Sequence, residues 1–390
     1  MPDDRKSNSG CLALHSRVSR RSWFLSCFGL GVSALAKLDQ ASAVAVMQNQ
    51  AGAAAVSKVG ISKPAVSSSL EAVQNGITPA DQFFVRNHFD VPQMGMADWK
   101  LRIEGTVARP LEVTFSDLLT APTEKREAVL ECAGNVQLLV SNGIWEGVPL
   151  AFLLRQASPS SNAQHVMLEG ADRGPLLENY ASYPFTRIVP LRKCLAPETL
   201  VAFKLNGQFL PPRNGFPARA LLPGWYAMDS VKWLRRIVVL GPEERPEGFY
   251  KSGMNSLYSR VTTEGGERRI TSRVSEMLVR SNIAFPSAGA NLASGTYTVW
   301  GFAWAGASRV VNVAVSSDSG ETWNNATLEG ESKALTWVKW NYKWTASPGE
   351  QSLMSRARDA AGNTQPLIRD PLRLDGYEAN WCRPVKWSVR

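Results

Sequence analysis

Histidine is scarce in this chain: three among 390 residues, of which His15 falls in an N-terminal leader, leaving only His88 and His165. Two histidines exclude a three-histidine metal site. No G-x-G-x-x-G follows an apolar run, so a Rossmann-type nicotinamide or flavin site has no support. A C-x-x-C-H haem attachment is also missing. No run of five Lys or Arg occurs, which argues against nucleic acid despite a net charge of +9. Of the five cysteines, Cys11 and Cys27 lie in the leader, leaving Cys132, Cys194 and Cys382. An odd number in an oxidising compartment leaves at least one thiol unpaired or otherwise ligated, with a Cys194–Cys382 pair left open.

The rest of the composition is that of an ordinary globular protein, 44% hydrophobic and 20% charged, with length enough for two domains. "SRRSWFLSCFGLGVSALA" sets Arg20 and Arg21 ahead of an apolar run from Trp23 to Ala36, with the small-residue site "ASA" at 41–43. The run is shorter than the roughly 20 residues of a spanning helix, so no stable membrane anchor is expected. Residues 1–43 are therefore predicted to be a twin-arginine export signal and the mature protein to be periplasmic. That route carries proteins already folded, so a bound cofactor is expected. Without the leader the balance is 37 Lys and Arg against 31 Asp and Glu, or +6. That excess suits an anionic ligand or an acidic partner surface.

Residues 44–77 are rich in Ala, Ser, Val and Gly with little periodicity and read as a tether. From Thr78 the texture changes. "WKLRIEG" (99–105) and "RRIVVL" (235–240) predict strands, and "TFSDLLT" (114–120) and "PLAFLLRQA" (149–157) predict short helices. Irregular alternation with many Gly and Pro turns favours a mixed α+β domain over 78–262. "GTYTVWGFAW" (295–304), "RVVNVAVSSDSGETW" (309–323), "WVKWNYKWTAS" (337–347) and "QSLMSRARDAAGNTQP" (351–366) alternate apolar and polar residues. Asp318-Ser319-Gly320 and Ala361-Gly362-Asn363 supply turn chemistry between them. This spacing predicts an immunoglobulin-like β-sandwich over 263–390, whose core and interfaces account for the six Trp between 300 and 344.

Cys132 stands where the apolar "VL" of "VLECAGN" (129–135) meets a small, polar turn. A soft thiolate suits a transition metal, and Gly134 lets backbone approach something bulky. "FFVRNHFDVP" (83–92), "ECAGN" (131–135), "WEGVPL" (145–150), "LNGQFLPPRNGFPAR" (205–219) and "SVKWLRRI" (230–237) resemble, in order, the signatures of the sulfite oxidase family of molybdenum enzymes. The predicted sandwich resembles that family's dimerisation domain. Together they cover nearly everything from about residue 79 onward.

The resemblance implies a molybdenum-molybdopterin cofactor with Cys132 as thiolate ligand of the metal. Phe84, Val85, Arg86, Asn87 and His88 match the segment that lies along the pterin, and Arg86 would hold an oxyanion in the substrate pocket. Asp172, Arg219, Ser230, Val231 and Lys232 match positions that bind the pterin and its phosphate, with Asn214 where a pterin-contacting histidine usually stands. Tyr250 in "GFYKSG" is similar to the family's active-site tyrosine. The chain departs from the pattern at Val136 and Gln137, where sulfite-oxidising members often carry a second arginine, and in the short interval between Cys132 and Trp145.

The implied activity is oxidation of sulfite to sulfate by oxo transfer, with Cys132, Arg86 and Tyr250 as catalytic residues. With no haem module in the chain, electrons would pass to a separate protein such as a c-type cytochrome, and a homodimer would form through the sandwich. The lost cationic position keeps two alternatives open: a reductase of sulfoxides or N-oxides, and a non-catalytic family member that only binds.

Overall fold

The computed structural model describes residues 67–68, 73–135, 139–175, 182–242 and 257–390. All lie in one compact unit of the chain, Gln48–Arg390. The leader, most of the expected tether, Val136, Gln137 and Tyr250 lie outside the described residues.

The first sheet is built from β1 (Lys100–Gly105), β2 (Leu111–Thr114), β5 (His165–Pro175), β6 (Ser182–Pro190) and β10 (Leu234–Leu240), in the order β2-β1-β10-β5-β6. In β1 the alternation buries Leu101 and Ile103 and exposes Lys100 and Arg102, as a strand with one core-facing side requires. Only β1 and β10 pair in parallel in this sheet. The second sheet joins β3 (Glu124–Glu131), β4 (Val140–Pro149), β7 (Leu200–Leu205) and β8 (Gln208–Phe209) in that order, with β9 (Arg219–Leu221) pairing with the first half of β7 on the edge that β8 takes further along.

Three α-helices lie wholly within the described residues: α1 (Phe115–Thr120), α2 (Leu150–Ala157) and α3 (Leu191–Cys194). Thr114 and Asp117 close a reciprocal capping box on α1, and α2 buries Leu150, Leu153, Leu154 and Ala157. The expected mixed α+β domain is thus mostly strands with few, short helices. Both helices end where the sequence places them, at Thr120 and Ala157, because an extended Ala121 closes α1 and Ser158, in the left-handed conformation, closes α2.

A hairpin of β11 (Ser259–Glu264) and β12 (Glu267–Arg273) leads to two further sheets. One, in the order β13-β15-β19-β18, uses β13 (Arg280–Phe285), β15 (Gly295–Trp304), β18 (Thr327–Glu329) and β19 (Trp337–Ala346). The other, in the order β14-β21-β20-β16-β17, uses β14 (Asn291–Leu292), β16 (Val310–Ser316), β17 (Asn324–Asn325), β20 (Gly349–Asp359) and β21 (Val385–Val389). Val299, Val313, Trp340, Trp344, Leu353 and Trp387 belong to the core these two sheets share. The turns fall where expected: Ser319, Gly320 and Gly362 have positive φ, and Asp318 accepts the Thr322 amide at 2.9 Å.

Packing departs from the sequence reading at one place. Ser68 and Val73, expected in a loose tether, are buried, with the Ser68 hydroxyl 2.6 Å from that of Ser141. Trp304 and Trp337 join the core of the first half, the interface role that the sequence reading gave the Trp cluster beside the sandwich core. Cys194 and Cys382, the pair left open, are both free thiols and buried.

Candidate functional site: a cationic cleft around Cys132

β3 ends at Glu131, and the next residue, Cys132, stands at the mouth of a tight turn in which the Asn135 amide donates to the Cys132 carbonyl at 2.9 Å. The Cys132 amide donates in turn to Leu139 O at 3.0 Å. The part-buried thiol lines a cleft with about 680 Å³ of empty space counted out to its open mouth. No atom of the described residues lies within 4 Å of where a side chain at Gly134 would begin, so packing among them does not demand glycine there.

Eleven residues picked from sequence line this one cleft: Phe84, Arg86, Asn87, His88, Cys132, Asp172, Asn214, Arg219, Ser230, Val231 and Lys232. They come from the segment before β1, the end of β3, β5, the 3-10 turn Pro212–Asn214, β9 and the stretch before β10. Val85 is buried and is not among the lining residues. One floor of the cleft is apolar: Phe83, Phe84 and Leu130 pack with Trp145 in a cluster of their own.

The cations are organised chiefly by backbone oxygens. Lys232 Nζ donates to Arg86 O at 3.1 Å, to Arg213 O at 3.2 Å and to Asn87 Oδ1. Arg219 donates to Asn214 O at 2.9 Å and Ser230 O at 2.7 Å, with its guanidinium 5.2 Å from the Trp145 ring. Gly215, with φ of 111°, permits this convergence, since a Cβ there would sit 3.1 Å from Arg219 Cβ and 3.2 Å from the Lys232 side chain. No carboxylate among the described residues pairs with Lys232 or Arg219, and the part-exposed Arg86 side chain has no ion-pair partner among them.

The protonation equilibria follow from crowding positive charge into a buried space. Burial pulls Lys232 down to about 7, with Arg219 adding to the shift, and burial pulls Arg219 down to about 9. His88 falls to about 3, first through burial and then through Arg86, Arg187 and Lys232, so it is neutral at physiological pH. Burial lifts Asp172 to about 7 against the pull of Lys232. Burial also raises the Cys132 thiol, opposed by Arg86 and Lys232. A metal at this sulfur would have to displace that proton.

The site has members that sequence reading did not find. Tyr258 lines the cleft, and its hydroxyl lies 3.1 Å from His88 Nδ1. Behind it the fully buried Arg187 holds its guanidinium 4.8 Å from the Tyr258 ring and donates from Nε to Asp229 at 2.7 Å. Tyr258 belongs to no motif, whereas Arg187 carried a signal: a charge inside the apolar strand "FTRIVP". Such a residue is buried only with a partner.

These residues fit an anionic cofactor that also bears N–H groups. Three cations face one acid, and buried Asp172 Oδ1 has no hydrogen-bond partner among protein atoms, an acceptor left for a donor on a ligand. Cys132 supplies the one thiol among the described lining residues, the other sulfur being the Met228 thioether.

Comparison with known proteins agrees. A family model described as "Oxidoreductase molybdopterin binding domain" matches residues 88–250, and one described as "Mo-co oxidoreductase dimerisation domain" matches residues 271–384. Sulfite oxidase of Gallus gallus is 31% identical over 318 residues, covering 74% of this chain and 68% of the relative. The mitochondrial sulfite oxidase of Homo sapiens is 32% identical over 340 residues, 80% of this chain but 61% of its own length. An NADH nitrate reductase of Cichorium intybus is 31% identical over 81% of this chain and 40% of its own. Among solved structures, the sulfane dehydrogenase SoxCD of Paracoccus pantotrophus matches with a TM-score of 0.70 and 29% identity, covering 81% of this chain and 82% of that one. With a cleft built for such a cofactor and both domain models matched, the chain belongs to the sulfite oxidase family of molybdopterin-binding oxidoreductases.

Proposed function

We propose that this chain is a periplasmic molybdenum enzyme that oxidises sulfite to sulfate and passes electrons to a separate acceptor protein such as a c-type cytochrome. The observation that carries the reading is the meeting of the Cys132 thiol with Arg86, Arg219 and Lys232 in one cleft. Molybdenum-molybdopterin, when bound, supplies the oxo-transfer and two-electron chemistry. Cys132 would hold the metal. Arg219 and Lys232, whose donors go largely to carbonyl oxygens, would act on the anionic cofactor mainly through their charge, and Asp172 would accept from the pterin's N–H groups. Arg86 is the cation left for an oxyanion and would orient sulfite with two-pronged hydrogen bonds. Neutral His88 and Tyr258, bonded to each other, would have one remaining N–H or O–H between them to donate to the same oxyanion without adding charge. Tyr250 is assigned beside them by motif alone.

The twin-arginine leader supports the location, the dimerisation-domain match supports a homodimer, and the two packed sheets support an immunoglobulin-like domain over 263–390 beside a molybdopterin domain over 78–262. A second reading, reduction of a sulfoxide or N-oxide, is favoured by Val136 and Gln137 standing where a second arginine is common.

The test is sulfite-dependent reduction of ferricyanide by protein exported through its own leader, with molybdenum quantified on the same sample. Stoichiometric molybdenum with rapid turnover is expected, and Cys132→Ser should stay folded while losing both. Stoichiometric molybdenum without sulfite turnover would reject the substrate, and an empty wild-type site would reject the metal enzyme.

A further inference from the structure

The segment bearing Cys132 is tied to the C-terminal half at three points. Glu131, directly before the cysteine, is 1% exposed, and its Oε1 accepts from Arg280 Nη1 at 2.7 Å. Its Oε2 accepts from Trp304 Nε1 at 2.8 Å. Arg280 Nη1 also donates to Asn135 O at 2.8 Å, so one guanidinium grips both ends of the Glu131–Asn135 turn. On the far side, the Glu378 amide donates to Ala133 O at 2.8 Å. Arg280 and Trp304 stand at paired positions on β13 and β15, the first strands of the sandwich.

Nothing local requires this arrangement. A turn after a strand closes on its own amides, as the Asn135 to Cys132 bond already does. The tertiary ties come from residues 149 and 173 positions away, and they use a buried charge pair. Such a pair is weak as a source of stability but directional, because the carboxylate accepts along its lone pairs, with Oε1 taking Asn135 Nδ2 at 3.1 Å as well as Arg280, and each N–H donates along its own axis.

We infer that Arg280 and Trp304, with the Glu378 backbone, are positioning residues for Cys132, so that the sandwich completes the metal site in addition to any role in association. The inference rests on the proposed function in taking Cys132 as the metal ligand. Arg280 sets where the sulfur points, and with it the geometry imposed on the metal.

The experiment uses the full chain in two forms. In cofactor-free protein, amide hydrogen exchange is followed by mass spectrometry with Arg280→Met, Arg280→Lys and Trp304→Phe. The amides of Cys132 and Asn135 should exchange at least tenfold faster in Arg280→Met, while those of β1, β10 and β20 keep their rates. Arg280→Lys should recover most of the protection, and Trp304→Phe should give a smaller acceleration confined to the same amides. If Arg280→Met does not fold, Glu131→Gln with Arg280→Met removes the unpaired buried charge and should show the same local loss. In molybdenum-loaded protein, the Mo(V) electron paramagnetic resonance signal of Arg280→Met should shift or broaden in g. Unchanged exchange at Cys132 and Asn135, or acceleration spread evenly over the chain, would overturn the inference. Hydrogen exchange does not depend on metal, so a wild type found empty of molybdenum would reject the metal reading without touching this result.

Discussion

Asp229 offers the sharpest test of how the wall behind the cleft is held. Its carboxylate is fully buried and takes Nε of the equally buried Arg187 at 2.7 Å, and Arg273 also donates to it. Arg187 in turn lies under the Tyr258 ring that faces the cleft. Asp229→Asn keeps the size and one acceptor oxygen and removes only the charge, leaving Arg187 buried without its carboxylate. Breaking a buried pair from one side costs about 3–5 kcal/mol, and the retained acceptor argues for the lower end, about 3 kcal/mol. At roughly 2–4 °C per kcal/mol for domains of 150–250 residues, the melting temperature of the cofactor-free protein should fall by about 6–12 °C. Tryptophan fluorescence during thermal unfolding reads this directly. Replacing both partners, Arg187→Met with Asp229→Leu, should recover only part of the loss, because Arg187's charge is gone while Arg273 still loses its carboxylate. A single variant melting within about 2 °C of the parent would refute the account of this pair as a mutually neutralised buried charge.

Two further outcomes follow from the site. Lys232→Met keeps the stem packed beside Trp233 and removes three hydrogen bonds and one cation; molybdenum per chain should fall at least tenfold, and normal loading would exclude Lys232 from cofactor binding. His88 and Asp172 should pull acid stability in opposite directions. His88, depressed to about 3, takes its proton only when unfolded between roughly pH 6.5 and 3, so its contribution to stability is lost as pH falls through that window. Asp172, raised to about 7, holds a proton when folded that the unfolded chain has released, so its contribution is lost as pH rises from about 3.8 to 7. Relative to the parent, His88→Gln should gain, and Asp172→Asn should lose, up to about 1.4 kcal/mol per unit as pH falls from 6 to 4.5 in urea titrations of cofactor-free protein. Parallel curves for parent and variants would refute both assignments.

The sequence by itself was enough to mark Cys132 at the end of an apolar strand, to delimit β1, β10, β15 and β19 nearly to the residue, and to collect eleven side chains that line one cleft. Those features are local: alternation along a strand, turn chemistry at Gly and Asn, and short motifs whose spacing survives in one chain. Tertiary structure alone decided the rest. Tyr258 meets His88 across 170 positions, Arg280 meets Glu131 across 149, and Val73 finds a core in what reads as a tether. The charge of Arg187 inside an apolar strand announced a buried partner but not Asp229 as its identity, because no periodicity records which strand a sheet will lay against another. The same limit applies to the electrostatics: the motif marks the lysine in "SVKW" but says nothing of its ionisation. Only burial beside Arg219 brings it down to about 7 and makes the cleft await an anion.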